Sequence, residues 1–184
     1  MGITSAHRRL HGLALEAALL ACLGCIVGQP EAVAADEPEI LRVRSSDVAI
    51  TTLIDLAATR SVTFKNLVAL IQASNGIVYV EPGACGHGTR ACLKMWMGLS
   101  GQTRFLRVMV NRQWTASDVD LMGSIGHELQ HTVEALSERN TMDGLSLYNF
   151  FSRIGLSGDN RFETVEAINV GNAVRHELRG LARR

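Results

Sequence analysis

Residues 115–136 read TASDVDLMGSIGHELQHTVEAL. The apolar residues of this stretch recur every three or four positions: Met122, Ile125, Leu129, Val133 and Leu136. This spacing predicts an amphipathic α-helix that buries one face in the core. Thr115 or Ser117 can cap the helix, and Asp118 and Asp120 lie in its first turn, where the helix dipole favours negative charge.

The polar face of this predicted helix carries His127, Glu128 and His131 in the order H-E-x-x-H. Residues four positions apart lie one above the other on a helix, so both imidazoles can reach one ion at about 2.1 Å. Glu128 is rotated by about 100° from His127, which places its carboxylate beside the ion. There it can take a proton from a metal-activated water and pass it to the leaving group. We therefore predict one Zn²⁺ ion held by His127 and His131, with Glu128 as the catalytic base.

A catalytic zinc site needs a third protein ligand and an open fourth position. Glu134 lies on the same helix face as His131, but three ligands from one helix would crowd the ion. Glu134 is therefore predicted as a partner of a ligand or as a surface carboxylate. The predicted last helix carries Glu163 and Glu166, and an antiparallel return past the motif would bring one of them to the metal. The residues alone leave both open.

The motif HELQH, followed by a glutamate on another helix, resembles the gluzincin branch of zinc metallopeptidases, to which thermolysin-like enzymes belong. The segments IVYVEP, RFLRVMVN, GHELQHTVEAL and FETVEAINVGNAV are similar to small secreted bacterial proteins of the metallopeptidase type. This resemblance covers most of residues 40–180 and implies a zincin-like fold and peptide-bond hydrolysis. It also implies that Glu163, which opens an E-T-x-x-A-like segment, is the third ligand. Glu166 stays the alternative third ligand.

A peptidase also needs a donor that stabilises the oxyanion of the tetrahedral intermediate. The candidates downstream of the motif are Tyr148, Arg153, Arg161 and His176. Tyr148 is predicted as the catalytic residue, with a place in the core as its alternative. The two arginines are interpreted as surface charges, and His176 as structural or exposed.

The remaining periodicities predict an α+β fold in which a small, mainly antiparallel sheet of about three strands packs on the motif helix. Helices are predicted at residues 47–58, 61–73, 145–154 and 161–181. Strands are predicted at residues 77–81, 91–98 and 103–111, with a hairpin turn at 99–102 and an irregular lead-in at 35–46.

The first 34 residues predict a signal peptide. A basic region at 7–9 and an apolar run at 13–27 precede the small-x-small sequence at 32–34. Cleavage near Ala34 would leave residues 35–184 as one secreted or periplasmic domain with no membrane span. The alternatives are a buried N-terminal helix, an uncleaved anchor and a lipoprotein modified within residues 19–22.

The predicted mature domain keeps two cysteines, Cys85 and Cys92, on either side of a glycine-rich turn. A loop-closing disulfide in an oxidising compartment is the preferred interpretation. The competing hypothesis is a metal site of Cys85, His87 and Cys92, which lacks a fourth ligand and the usual C-x2-C spacing.

Composition narrows the function further. Lys+Arg and Asp+Glu are both 18, and aromatic residues make up 5%, which argues against a nucleic-acid partner. The leading hypothesis is a zinc metallopeptidase that binds a peptide or protein substrate along an edge strand. The alternatives are a non-catalytic binding or regulatory module stabilised by metal, and a metal-free helical interaction protein.

Overall fold

The helix with the histidine motif lies between a sheet and a second long helix. The computed structural model describes residues 41–86, 88–111, 117–156 and 162–181. Its helices are α1 (Val48–Arg60), α2 (Val62–Gln72), α3 (Asp118–Ser137), α4 (Gly144–Ile154) and α5 (Val165–Leu181). Its strands are β1 (Val43–Arg44), β2 (Gly76–Pro82), β3 (Ala91–Ser100) and β4 (Thr103–Val110). The predicted α+β class is confirmed.

The sheet is mixed, so the prediction of a mainly antiparallel sheet of three strands was wrong. Its strand order is β1-β2-β4-β3, and only the predicted β3–β4 hairpin is antiparallel among the described pairings. β1 joins β2 through two helices, a crossover connection that allows parallel pairing. The hairpin then inserts β4 between β2 and β3, which leaves β3 at an edge. The two-residue β1 falls within the predicted lead-in because so short a strand carries no periodic signal.

The last helix begins later than predicted. α5 starts at Val165, so Glu163 lies in the segment before the helix and not on it. Thr164 Oγ1 accepts a hydrogen bond from the amide of Ala167 at 3.1 Å, as an N-cap residue does. At the start of α3 the cap is Ser117, and the alternative cap Thr115 lies outside the described residues.

α3 is buried on almost every side. Its apolar stripe faces the core as predicted: Met122, Ile125, Leu129 and Leu136 are buried, and Val133 packs against them. The opposite face is covered by α5, and two glycines of α3 permit the close approach. A Cβ on Gly126 would lie 3.0 Å from Val174, and one on Gly123 would overlap the side chain of Arg175. Larger residues at either glycine would push α5 away from the motif.

A buried guanidinium ties the end of α3 to the sheet. Arg104 of β4 donates hydrogen bonds to Asn75 Oδ1 and to the carbonyl oxygens of Ala135, Leu136 and Glu138. A cation is favoured at a helix C-terminus, where the last carbonyl groups lack partners within the helix. Arg104 thereby fixes α3 relative to β4.

The predicted signal peptide and the predicted disulfide differ in whether the structure describes their residues. Residues 1–34, the predicted signal peptide, lie outside the described residues. Within the described part of the chain, no helix has the length and apolar character needed to cross a membrane. The Sγ atoms of Cys85 and Cys92 lie at disulfide distance, 2.17 Å apart. His87, which the competing metal hypothesis requires, is outside the described residues.

Candidate metal centre

His127, His131 and Glu163 meet beside α3. The histidines lie one turn apart on α3, and Glu163 reaches them from the segment before α5. Glu163 Oε2 is 2.9 Å from His127 Nε2 and 3.9 Å from His131 Nε2. One potential ligand atom from each residue lies within 4.8 Å of the other two. The structure thus brings Glu163 to the histidines, whereas Glu166 is exposed in the first turn of α5.

The donor set of these three residues fits a zinc ion. Zinc takes imidazole nitrogen and carboxylate oxygen as ligands in a tetrahedral arrangement. Ligand atoms about 2.1 Å from a tetrahedral ion are about 3.4 Å apart. The separations of 2.9 and 3.9 Å from the Glu163 oxygen to the two Nε2 atoms lie on either side of that value. Three protein ligands leave the fourth position for water or substrate, as in catalytic sites.

Glu134 links one histidine to the segment that carries Glu163. Its Oε2 is 3.0 Å from His131 Nδ1, and its Oε1 accepts a hydrogen bond from Thr164 Oγ1 at 2.8 Å. Burial raises the pKa of Glu134, but the hydrogen bonds with His131 and Thr164 outweigh burial and hold that pKa below its usual value. Ionised Glu134 accepts the Nδ1 proton of His131, which leaves Nε2 to face the site. Of its two predicted positions, Glu134 has that of a partner of His131.

Histidine and carboxylate side chains in this centre favour each other's charged form. Burial lowers the pKa of His131, but its hydrogen bond with Glu134 and the nearby carboxylate of Glu163 outweigh this effect and raise the pKa to about 9. The imidazoles of His127, at 2.9 Å, and His131, at 3.9 Å, hold the pKa of Glu163 well below its usual range. The Glu163 carboxylate is thus matched with positive charge, and a bound cation would take that role from the protons.

Glu128 is buried next to the three residues and is anchored on the sheet. Its Oε2 accepts a hydrogen bond from the backbone amide of Leu93 at 2.7 Å, and its Oε1 is 4.0 Å from His127 Nε2. Burial, partly offset by the two histidines, raises the pKa of Glu128 to about 7. One carboxylate oxygen is therefore held by β3 while the other is placed beside the site, an arrangement that suits a proton acceptor.

Among the described residues no strand pairs with the outer edge of β3, and part of this free edge faces the site. The amide of Asn111 donates to the carbonyl oxygen of Arg90, so the main-chain groups of Arg90 face β4. Because these groups alternate along an antiparallel strand, those of Ala91 and Leu93 face away from β4. The outward Leu93 amide is the group that holds Glu128. The main chain at Ala91 and Leu93 therefore lies alongside the candidate metal centre.

A cavity of ≈ 260 Å³ opens between β3, α4 and the segment before α5. Glu128, His131 and Glu163 form its polar part, and Phe151 and Phe162 belong to its apolar wall. The ring of Phe151 meets the His131 ring edge to face, with centroids 5.2 Å apart. Two larger depressions, of ≈ 480 and ≈ 530 Å³, contain none of these three polar residues. The smaller cavity is therefore the one that contains the candidate catalytic and metal-binding side chains.

Tyr148, Arg153 and His176, three of the predicted oxyanion donors, are not among the residues that line this cavity. Tyr148 is 40% exposed on α4, and its ring meets that of Phe162 at a centroid distance of 5.1 Å. It is therefore not a core residue, and its catalytic role stays a prediction. Arg153 is exposed and forms an ion pair at the end of α3, and His176 is exposed on α5. Arg161 lies outside the described residues.

Sequence reasoning did not find three groups that shape the centre: the Leu93 amide, Thr164 and Phe151. A threonine just before a helical run is a cap signal, so the position of Thr164 could have been inferred. The Leu93 amide could not, because its outward direction depends on which strand lies at the sheet edge.

Comparison with known proteins does not identify a family. No protein-family model, no curated protein and no solved structure matches the chain. The zincin-like fold and the gluzincin resemblance therefore stay expectations, and the function is inferred from the site itself.

Proposed function

We propose that this protein is a zinc-dependent hydrolase that cleaves peptide bonds. His127, His131 and Glu163 hold one Zn²⁺ ion, and Glu128 is the general base. The observation that carries the proposal is the meeting of three ligand atoms within 4.8 Å, next to a carboxylate anchored by a backbone amide. The Cys85–Cys92 pair supports a secreted or periplasmic setting, where disulfides persist.

The chain's own residues supply the proton transfers of this reaction. Bound zinc would polarise the substrate carbonyl and lower the pKa of a neighbouring water. Glu128 accepts a proton from that water as the water oxygen bonds to the carbonyl carbon. Glu128 then gives the proton to the peptide nitrogen, the C–N bond breaks, and a carboxylic acid and an amine are released. The Leu93 amide holds Glu128 Oε2 throughout, so Oε1 stays directed at the site.

A peptide substrate is supported by the free edge of β3. Extended peptides bind to exposed sheet edges through main-chain hydrogen bonds. On the strand that anchors Glu128, Ala91 offers its outward amide and carbonyl groups. Leu93 offers its outward carbonyl oxygen, because its amide is taken by Glu128. A bound peptide would therefore lie next to the proton acceptor and to the three ligands.

Zinc content and hydrolysis are tested together in the unaltered chain and in Glu128→Gln. The unaltered chain should retain one zinc ion after dialysis, measured by atomic emission. It should lose hydrolysis of a peptide mixture on chelation and regain it with zinc. The amide oxygen of Glu128→Gln can still accept from Leu93, so zinc should stay bound. Hydrolysis should fall by at least about 10²-fold because the proton acceptor is gone.

Two glutamates of the last helical region provide a matched pair of variants. Glu163→Gln should weaken zinc binding by at least about tenfold, whereas Glu166→Gln should leave it unchanged. A chain that binds no zinc at neutral pH would rule out the metal centre. Stoichiometric zinc without hydrolysis of any peptide, or full activity of Glu128→Gln, would rule out catalysis. The non-catalytic, metal-stabilised module would then be the better description.

A further inference from the structure

We infer that the site cuts peptides at their free amino end, releasing one or two residues, and does not cut internal bonds of long chains. This inference rests on the proposed peptide hydrolysis and adds the class of substrate to it. It follows from the short length of free β3 edge beside the site and from the element that closes that edge.

The reacting bond of a peptide on this edge is level with Leu93. The Leu93 amide holds Oε2 of Glu128 at 2.7 Å, and Oε1 of the same carboxylate faces the ligand residues. Proton transfer to the leaving nitrogen requires that nitrogen to come within hydrogen-bond reach of Oε1. The position of Glu128 along β3 therefore fixes where the substrate is cut.

The free edge closes two residues beyond this point. Leu93 pairs with Val108 and Met97 with Leu106, so three residues of β3 stand opposite one residue of β4. An irregularity of this kind bends the strand and ends regular edge pairing. α4 begins at the same place: a Cβ on Gly144 would lie 2.7 Å from the carbonyl oxygen of Met95. The start of α4 thus lies against the β3 backbone and occupies the edge.

The direction of the substrate follows from the pairing preference of strands. An added strand is more stable antiparallel to its neighbour than parallel. The amino end of an antiparallel peptide points toward the carboxyl end of β3, which is the end closed at Met95 and Gly144. From Leu93 to Met95 the strand advances about 7 Å. This is room for one or two substrate residues before the reacting bond.

The opposite direction along β3 stays accessible from the cavity. Thr89 and Ala91 line it together with Leu93, so the edge near the site continues toward the start of the strand. The carboxyl-terminal part of an antiparallel peptide would follow that direction. A long peptide can therefore extend on one side of the reacting bond, while its amino end is held on the other.

The cavity beside the closed end of the edge also limits the size and polarity of the first substrate residue. Its ≈ 260 Å³ is below the ~300–1,000 Å³ of a common small-molecule pocket. Met95, Phe151 and Phe162 contribute apolar side chains to its wall. The first residue should thus be apolar and of limited size.

The chemistry of each cut balances without a further reactant. The hydroxyl of water joins the carbonyl carbon of the first or second residue, and its remaining proton goes to the nitrogen of the next. The carbon–nitrogen bond breaks, which releases a free amino acid or dipeptide. The shortened peptide has a new amino end and is itself a substrate.

A set of related peptides tests this inference in the zinc-loaded chain. One decapeptide with an apolar first residue is supplied with a free amino end and again with an acetylated amino end. Mass spectrometry should show stepwise loss of one or two residues from the free form, and cleavage at least about 50-fold slower for the acetylated form. Internal cuts, loss of carboxyl-terminal residues, or equal cleavage of both forms would overturn the inference of amino-terminal cleavage but would still support peptide hydrolysis. Cleavage of neither peptide by the zinc-loaded chain would overturn the proposed function together with it.

Two methionines provide a matched test of the closed end. Met95 lines the cavity, whereas Met142 is half-exposed and is not among the lining residues. Met95→Ala should increase kcat/KM for a first-residue phenylalanine relative to alanine by at least about fivefold, because the wall recedes. Met142→Ala should leave that ratio unchanged. An unchanged ratio in Met95→Ala, with activity retained, would contradict the placement of the first residue at Met95.

Discussion

Replacing Glu134 with alanine should weaken zinc binding although Glu134 is not itself a ligand. The substitution removes the acceptor that lies 3.0 Å from His131 Nδ1 and the acceptor that lies 2.8 Å from Thr164 Oγ1. His131 then loses the partner that keeps its proton on Nδ1 and its Nε2 toward the site. The segment with Glu163 loses the hydrogen bond from Thr164 to α3 at the same time.

The expected magnitude follows from the nature of these two contacts. Each is a hydrogen bond to an ionised carboxylate, the kind whose net worth is about 1.5–3 kcal/mol. Removing the hydrogen-bond partner of a ligand histidine typically costs about 10–100-fold in metal affinity. Because Glu134 also positions the neighbour of Glu163, we expect a loss near 100-fold, or about 2.7 kcal/mol. Thr164→Val removes one of the two contacts, together with the cap hydrogen bond from the Ala167 amide, so its loss should be near tenfold, or about 1.4 kcal/mol.

Competition for zinc against a chromogenic chelator at neutral pH measures these affinities directly. Glu166→Ala is the matched control, because Glu166 is an exposed glutamate in the adjacent turn and should have no effect. Circular dichroism of each variant establishes that the helices are intact. An affinity of folded Glu134→Ala within twofold of the unaltered chain would refute the reasoning, since Glu134 would then neither orient His131 nor position Glu163.

Three further substitutions test the fold around the centre. Arg104→Met should lower the free energy of unfolding by about 4 kcal/mol in urea denaturation, because carbonyl groups at the end of α3 lose a charged donor; a loss below 1 kcal/mol would contradict this. Gly171→Ala should lower Tm although alanine has the better helix propensity, because the added Cβ would lie 3.0 Å from the Cβ of His127. Gly180→Ala is the control and should not lower Tm, because nothing lies within 4 Å of its Cβ. Burial raises the pKa of Glu177, but hydrogen bonds from hydroxyls at the start of α2 outweigh it and lower the pKa. These hydrogen bonds therefore stabilise the fold above the pKa that Glu177 has in the unfolded chain, and this stabilisation is lost as pH falls through the lower pKa of the folded chain. On acidification, the Tm of Glu177→Gln should fall less than that of the unaltered chain. An equal fall of both Tm values would contradict this assignment.

The parts of the structure that depend on local sequence could be predicted. The apolar spacing from Met122 to Leu136 places α3 with its buried face correctly, and Ser117 is its cap. The H-E-x-x-H spacing brings His127 and His131 together because helix geometry alone determines it. The hairpin of β3 and β4 is likewise a contact between neighbours in sequence.

The parts that depend on distant contacts could not be predicted. The order of strands is decided by where β4 packs, and no residue in the hairpin specifies β2 as its other neighbour. The start of α5 was placed too early because residues 161–164 continue a helical pattern, whereas Thr164 caps the helix and bonds to Glu134. The choice between Glu163 and Glu166 depends on that start, since one lies before the helix and the other on its exposed face.

The position of the disulfide pair has a practical consequence for anyone preparing this protein. Cys92 is adjacent to Leu93, the residue whose amide anchors Glu128, and it lines the cavity itself. A thiol reductant in the purification buffer would open the loop of Cys85 and Cys92 and would also compete for zinc, which thiolates bind well. With the proposed zinc ion, protein purified with a thiol would thus contain less metal and would lose the covalent support of β3. Two samples of the same chain would then differ in zinc content through their purification buffer alone.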